Sequence, residues 1–186
     1  MKKTLLFLSA AFCITTSFAQ SGEEQAWMSF MTPGEEHKML AKDDGQWSEE
    51  ITIYMNPSAP PVTSKSICTN SMILGGRYQK SIHKGNMMGM PFEGESTVGF
   101  DNGRKVWFST WVDNMGTGIM YGEGVYDKSK KALILNGKMT DPNTSKAVDY
   151  KEVMTWPDAD HQKMEMYAIV DGKEIKTMEI VFTRMK

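Results

Sequence analysis

The stretch from Phe92 to Asp113, FEGESTVGFDNGRKVWFSTWVD, decides the fold. Two runs rich in β-branched and aromatic residues flank Asn102-Gly103. Asn-Gly between two such runs is the strongest short-range hairpin signal, because a type I′ turn needs positive φ at both central residues. That turn sets Asp101 against Arg104, Val98 against Trp107 and Gly94 against Trp111. Trp107, Ser109, Trp111 and Asp113 then share one face, since side chains alternate along a strand.

Outward from this hairpin the period of two continues in both directions. Strands are predicted over about 47–55, 62–74 and 77–84 on the N-terminal side. After the hairpin they follow over about 117–126, 132–139, 146–156, 162–170 and 174–184. The breaks carry turn residues: Asn56-Pro57, Gly75-Gly76, Asp127-Lys128-Ser129, Asp141-Pro142-Asn143, Pro157-Asp158 and Asp171-Gly172. The segment from Gly85 to Pro91 reads as a loop, with room to act as a mobile portal or as a tight connection filled by methionine. About ten strands in a meander leave no length for crossover helices. Such a chain closes as an all-β, up-and-down antiparallel barrel, which removes exposed edges.

Ahead of the strands, Thr32-Pro33 with Glu35 and Glu36 marks a short helix to about Lys42, ended near Gly45. Residues 20–33, with Trp27, Phe30 and Met31, read as a partly helical arm, and residues 34–186 as one barrel domain. Residues 1–19 have the pattern of a cleaved signal peptide. Lys2 and Lys3 precede an apolar run shorter than a membrane span, and Ser17-Phe18-Ala19 is a small-residue cleavage site. The expected address is secreted or periplasmic, with no membrane span.

Composition narrows the function. With 21 basic and 23 acidic residues in 186, no basic surplus points to nucleic acid. Cleavage removes two lysines and Cys13, so Cys68 is left without a disulfide partner. The 17 methionines suit an adaptable interior. His37, His83 and His161 lie in different elements without metal-ligand spacing, and the sequence assigns no metal and no cofactor. His83 with Met87, Met88 and Met90 has the chemistry of a copper(I) site, set against methionine as plain filler. Cys68 has no recognisable histidine partner, and neither a G-x-S-x-G elbow nor a P-loop is present. The glycines of Gly116-Thr117-Gly118 and Gly122-Glu123-Gly124 read as marks of strand bends. Glu123, Glu152, Glu165 and Glu179 sit on strands among apolar neighbours. Facing inward near Arg77 or Arg184 they would floor a polar pocket, and facing outward they are solvated surface.

Two local features resemble the lipocalin-like barrel superfamily. Gly45-Gln46-Trp47 opens the first strand like that superfamily's Gly-x-Trp, and Arg184 stands near the end of the last strand. The resemblance implies that Arg184 packs over Trp47. A longer resemblance covers about Trp27 to Arg184. It is carried by Thr32-Pro33-Gly34 with His37, Gly45-Gln46-Trp47, Gly75-Gly76-Arg77-Tyr78, Met88 to Gly94, Gly99 to Asn102, Thr110 to Gly118 and Met178-Glu179-Ile180. These runs resemble the secreted bacterial family known as domain of unknown function 1579, which brings no catalytic residues to transfer.

The leading expectation is therefore a non-enzymatic binder of a small apolar or amphipathic ligand inside the barrel. The ligand would lie against Trp107, Trp111, Met90 and Met120, its polar ends held by Asp113 and Arg77. The alternative for the tryptophan face is ordinary packing, with Asp113 capping the turn at Asn114. Two other functions stand beside it. One is an envelope interaction or structural module using Trp27 and Phe30. The other is an enzyme, or a metal or haem binder, at the barrel mouth, with Asp113 and His83 as its titratable pair.

Overall fold

The computed structural model describes residues 22–55 and 58–186. The signal-peptide reading of 1–19 and the Asn56-Pro57 break lie outside them. Two helices, α1 (Gly22–Met31) and α2 (Glu35–Ala41), precede ten strands. These are β1 (Gly45–Ile53), β2 (Val62–Ile73), β3 (Tyr78–Met87), β4 (Met90–Asp101), β5 (Val106–Asp113), β6 (Met120–Asp127), β7 (Ala132–Asp141), β8 (Lys146–Thr155), β9 (His161–Val170) and β10 (Lys173–Arg184). Each strand pairs antiparallel with its neighbour in sequence, and β1 pairs with β10 to close the barrel. No helix among the described residues is long and apolar enough to cross a membrane.

Closure is locked where the first and last strands meet. Trp47 is fully buried, and the Arg184 guanidinium lies 4.2 Å from its ring centroid. Arg184 also donates from Nη1 to Asp44 O (2.8 Å), from Nη2 to Lys42 O (2.7 Å) and from Nε to Ala159 O (3.2 Å). The planar fork suits this job, since it stacks and donates at once.

Helix α2 closes one end of the barrel. Glu35 and Glu36 occupy its first turn, and His37 Nδ1 accepts the Gly34 N–H (2.9 Å). Leu40 points inward onto Phe100, Trp107, Leu133 and Leu135. Below it, Asp43 O accepts from Trp47 Nε1 (2.9 Å) and Asn70 Nδ2 (3.1 Å), and Gln79 Nε2 donates to Leu40 O (2.7 Å). Helix α1 lies outside and buries no residue.

Two expected connections differ. The β4–β5 turn takes four residues, 102–105, instead of two, so Phe100 pairs with Trp107 and Ser96 with Trp111. Asp101 Oδ1 accepts the N–H groups of Gly103 and Arg104, and Lys105, at φ 57°, donates its N–H to Asp101 O (2.7 Å). This Asx-type turn outcompetes the type I′ form. The shift is two residues, so every side chain keeps its face. The segment from Gly85 to Pro91 is no loop. β3 and β4 run through it to a tight turn at Met88 (φ 51°) and Gly89 (φ 80°), with Met87 paired to Met90.

Candidate functional site

The alternation that buries one face of each strand leaves a lumen of about 400 Å³. Its two sides differ in chemistry. On β1 to β3 most inward positions are small or polar buried groups, Glu49, Ser66, Cys68, Asn70, Gln79, Ser81 and His83, beside the apolar Trp47 and Ile51 of β1. On β6 to β10 they are largely methionine, including Met120, Met139, Met154, Met164, Met166 and Met178. Methionine's unbranched, polarisable chain lets such a wall adapt its shape.

Trp111, Asp113 and Met120 line this lumen. Trp111 stacks on Phe92 (6.2 Å between centroids) and meets the His83 ring edge-on (4.9 Å). A Cβ on Gly94 would fall 2.6 Å from Trp111 Cζ2, so the ring needs glycine there although Gly94 pairs with Asp113. Asp113 is already committed. Its Oδ2 accepts from Trp111 Nε1 (2.7 Å), and its Oδ1 accepts from the N–H groups of Met115 (2.9 Å) and Gly116 (3.0 Å).

The structure brings the other expected ligand contacts elsewhere. Trp107 is buried beneath α2 against Phe100, 5.3 Å between centroids, and belongs to the barrel's packed end. Met90 is 48% exposed beside the β3–β4 turn. Arg77 points away from the lumen to the arm, donating from Nη2 to Met31 O (2.7 Å) and from Nη1 to Leu74 O (3.1 Å). Its place directly after Gly75-Gly76 puts it on a turn at the barrel's end, where no inward face exists. His83 shares the lumen with Met87 but not with Met88, which is 52% exposed, or Met90, so the four-residue copper(I) grouping does not form. Nor does the pair with Asp113: His83 Nδ1 lies 2.9 Å from Glu49 Oε1. His37 serves α2, and the exposed His161 pairs with Asp158.

Two further groups belong to the site, one whose facing the sequence leaves open and one that the sequence does not assemble. Glu152 faces the lumen between Leu135 on β7 and Met166 on β9. It has no hydrogen-bond partner among the described residues, and burial alone pushes its carboxyl up to about 7. Its companions Glu165 and Glu179 turn outward into ion pairs with Lys163 and Lys176, and Glu123 pairs with Arg104. Neighbouring Tyr150 is raised to about 12 by its burial and by the Glu152 charge. At the α2 end Asp43 is pushed up to about 6 by burial, partly offset by the Trp156 N–H (2.8 Å) and Arg184.

The group that the sequence does not assemble is Glu49, Cys68 and His83, whose donor atoms lie within 4.8 Å of one another. Cys68 and His83 are directly paired across β2 and β3. Glu49 sits in phase between Trp47 and Ile51 on β1, which was the available signal. The β2–β3 register that joins Cys68 to His83 has no such signal in the sequence.

No curated protein matches the chain. Among solved structures it is similar to Rv2717c from M. tuberculosis, at a TM-score of 0.58 and 13% identity over 83% of this chain and 100% of that one. It is also similar to the S-type phycobiliprotein lyase CPES from Guillardia theta, at 0.57 and 10% identity over 86% and 97%. At such identities the likeness is one of fold. The family model described as "Protein of unknown function (DUF1579)" matches residues 32–184, and the chain belongs to that family.

Proposed function

We propose that this protein is a non-enzymatic binder that encloses a small, mostly apolar ligand in the barrel lumen. The observation that carries the reading is a cavity of about 400 Å³, walled by methionine and Trp111, with one carboxyl, Glu152, that has no hydrogen-bond partner among the described residues. Ligand pockets are typically apolar with a few placed polar groups. A buried polar group without a partner is costly, and a ligand's hydrogen-bonding end would offset that cost. Glu152 takes over the orienting role expected of Asp113 and Arg77. Residues 1–19 support the companion proposal that the protein works outside the cytoplasm, secreted or periplasmic, from a mature start at Gln20.

Native mass spectrometry of the protein from the exported fraction, compared with its denatured mass, tests the reading. The expected result is a mature chain from Gln20 carrying extra mass that denaturation releases. A bare mass that stays bare after incubation with fatty acids and haem sinks it.

A further inference from the structure

Cys68 and His83 meet on the polar side of the lumen. Cys68 Sγ lies 3.8 Å from His83 Nε2, and both side chains line the cavity. Two ligands of a tetrahedral zinc ion, one sulfur and one imidazole nitrogen, stand roughly 3.6 Å apart given the usual bond lengths. Behind the imidazole, Glu49 Oε1 is 2.9 Å from Nδ1, and Ser66 Oγ donates to the other carboxylate oxygen. With Glu49 accepting the Nδ1–H, Nε2 keeps its lone pair facing Cys68. This is the carboxylate–histidine support that fixes the tautomer of metal-binding imidazoles. Asn70 Oδ1, 3.0 Å from Sγ, adds a third donor on the same wall.

We propose that Cys68, His83 and Asn70, held from behind by Glu49, form a site for one divalent transition-metal ion of the zinc class on the lumen wall. Thiolate, imidazole and oxygen donors select zinc-class ions over the hard cations. The remaining coordination positions face the cavity. A nucleophilic role suits the same residues less well. Burial and the Glu49 charge raise the Cys68 thiol above its ordinary range, and its S–H is directed at Asn70 instead of the histidine. A bound cation reverses that balance, since a coordinating thiol is deprotonated by the ion itself. The site stands independently of any organic ligand.

The probe is Co²⁺ added to the mature protein from Gln20, in which Cys68 is the one thiol. The expected signs are a thiolate-to-cobalt charge-transfer band, displaced by Zn²⁺, and a Tm that rises with Zn²⁺ concentration. Glu49→Gln should weaken Zn²⁺ binding about 10- to 100-fold. Both readouts in the parent protein need no destabilising variant. A titration with neither band nor Tm shift would overturn the site. Unchanged affinity in a folded Glu49→Gln protein would overturn the positioning role of Glu49.

Discussion

Glu152 concentrates the energetics of the lumen in one side chain. It lies between Leu135 and Met166 with no donor in reach, and its carboxyl is raised from the ordinary 4.5 to about 7. A folded-state pKa above the unfolded one means the native protein holds more protons between those values. Stability therefore falls as pH rises from about 4.5 through about 7, and stays reduced above. The difference is on the order of 3 kcal/mol at the alkaline end. Asp43, raised to about 6, adds a loss of the same sign over a lower window. Glu152→Gln removes only the Glu152 part. Urea unfolding at pH 4 and pH 8 should show the variant close to the parent at pH 4 and more stable than it at pH 8. A variant no more stable at pH 8 would mean the carboxylate has found a partner, water or ligand, in solution. The same substitution should weaken a ligand whose polar end meets Glu152, so stability and affinity move in opposite directions.

At the scale of elements, the arm and the barrel are joined through few groups. Helix α1 buries nothing, with Trp27 58% exposed, yet its C-terminal turn is held by the barrel's tips. Asn102 Nδ2 donates to the carbonyls of Ser29, Phe30 and Thr32, and Arg77 donates to that of Met31. Arg77→Ala with Asn102→Ala should therefore speed amide exchange across 22–32 while changing global stability by less than about 1–2 kcal/mol. Exchange left slow in the arm would show that another contact holds it. The strands themselves were legible because a period of two survives uncertainty in their ends, and because Gly75-Gly76, Asp141-Pro142-Asn143 and Asp171-Gly172 mark the breaks between them. Pairing register was less so. At Asn102-Gly103 the Asp101 carboxylate captured two backbone N–H groups and lengthened the turn, which moved Trp111 from Gly94 to Ser96 without changing its face. For the site this mattered more. Alternation put Ser109, Trp111 and Asp113 on one face, and that face lines the lumen. The meeting of Cys68 with His83 depends on the β2–β3 register, and the inward turn of Glu152 but not Glu165 depends on phase relative to β7 and β10.

For the whole molecule, closure and cavity depend on each other. An open ten-strand sheet would expose the edges of β1 and β10 and drain the lumen into solvent. The seam between these strands runs from Trp47–Arg184 to Ile53–Met178. Arg184 covers Trp47, ties the segment between α2 and β1 through the carbonyls of Lys42 and Asp44, and reaches the β8–β9 connection through that of Ala159. Three separate parts of the chain therefore lose an anchor together when it is truncated. Arg184→Ala should cost roughly 2–4 kcal/mol, combining the lost stacking with carbonyls left short of a donor. Arg184→Lys keeps the charge but not the planar fork, and should recover only part of that cost. Guanidinium unfolding followed by tryptophan fluorescence and by far-ultraviolet circular dichroism measures both. If the seam is one cooperative unit with the barrel, the two signals shift together to lower denaturant in Arg184→Ala. A fluorescence transition that moves ahead of the backbone signal would instead show the Trp47 end opening while the remaining strands stay paired. Stability equal to the parent's would show that β1–β10 hydrogen bonding closes the barrel without the arginine.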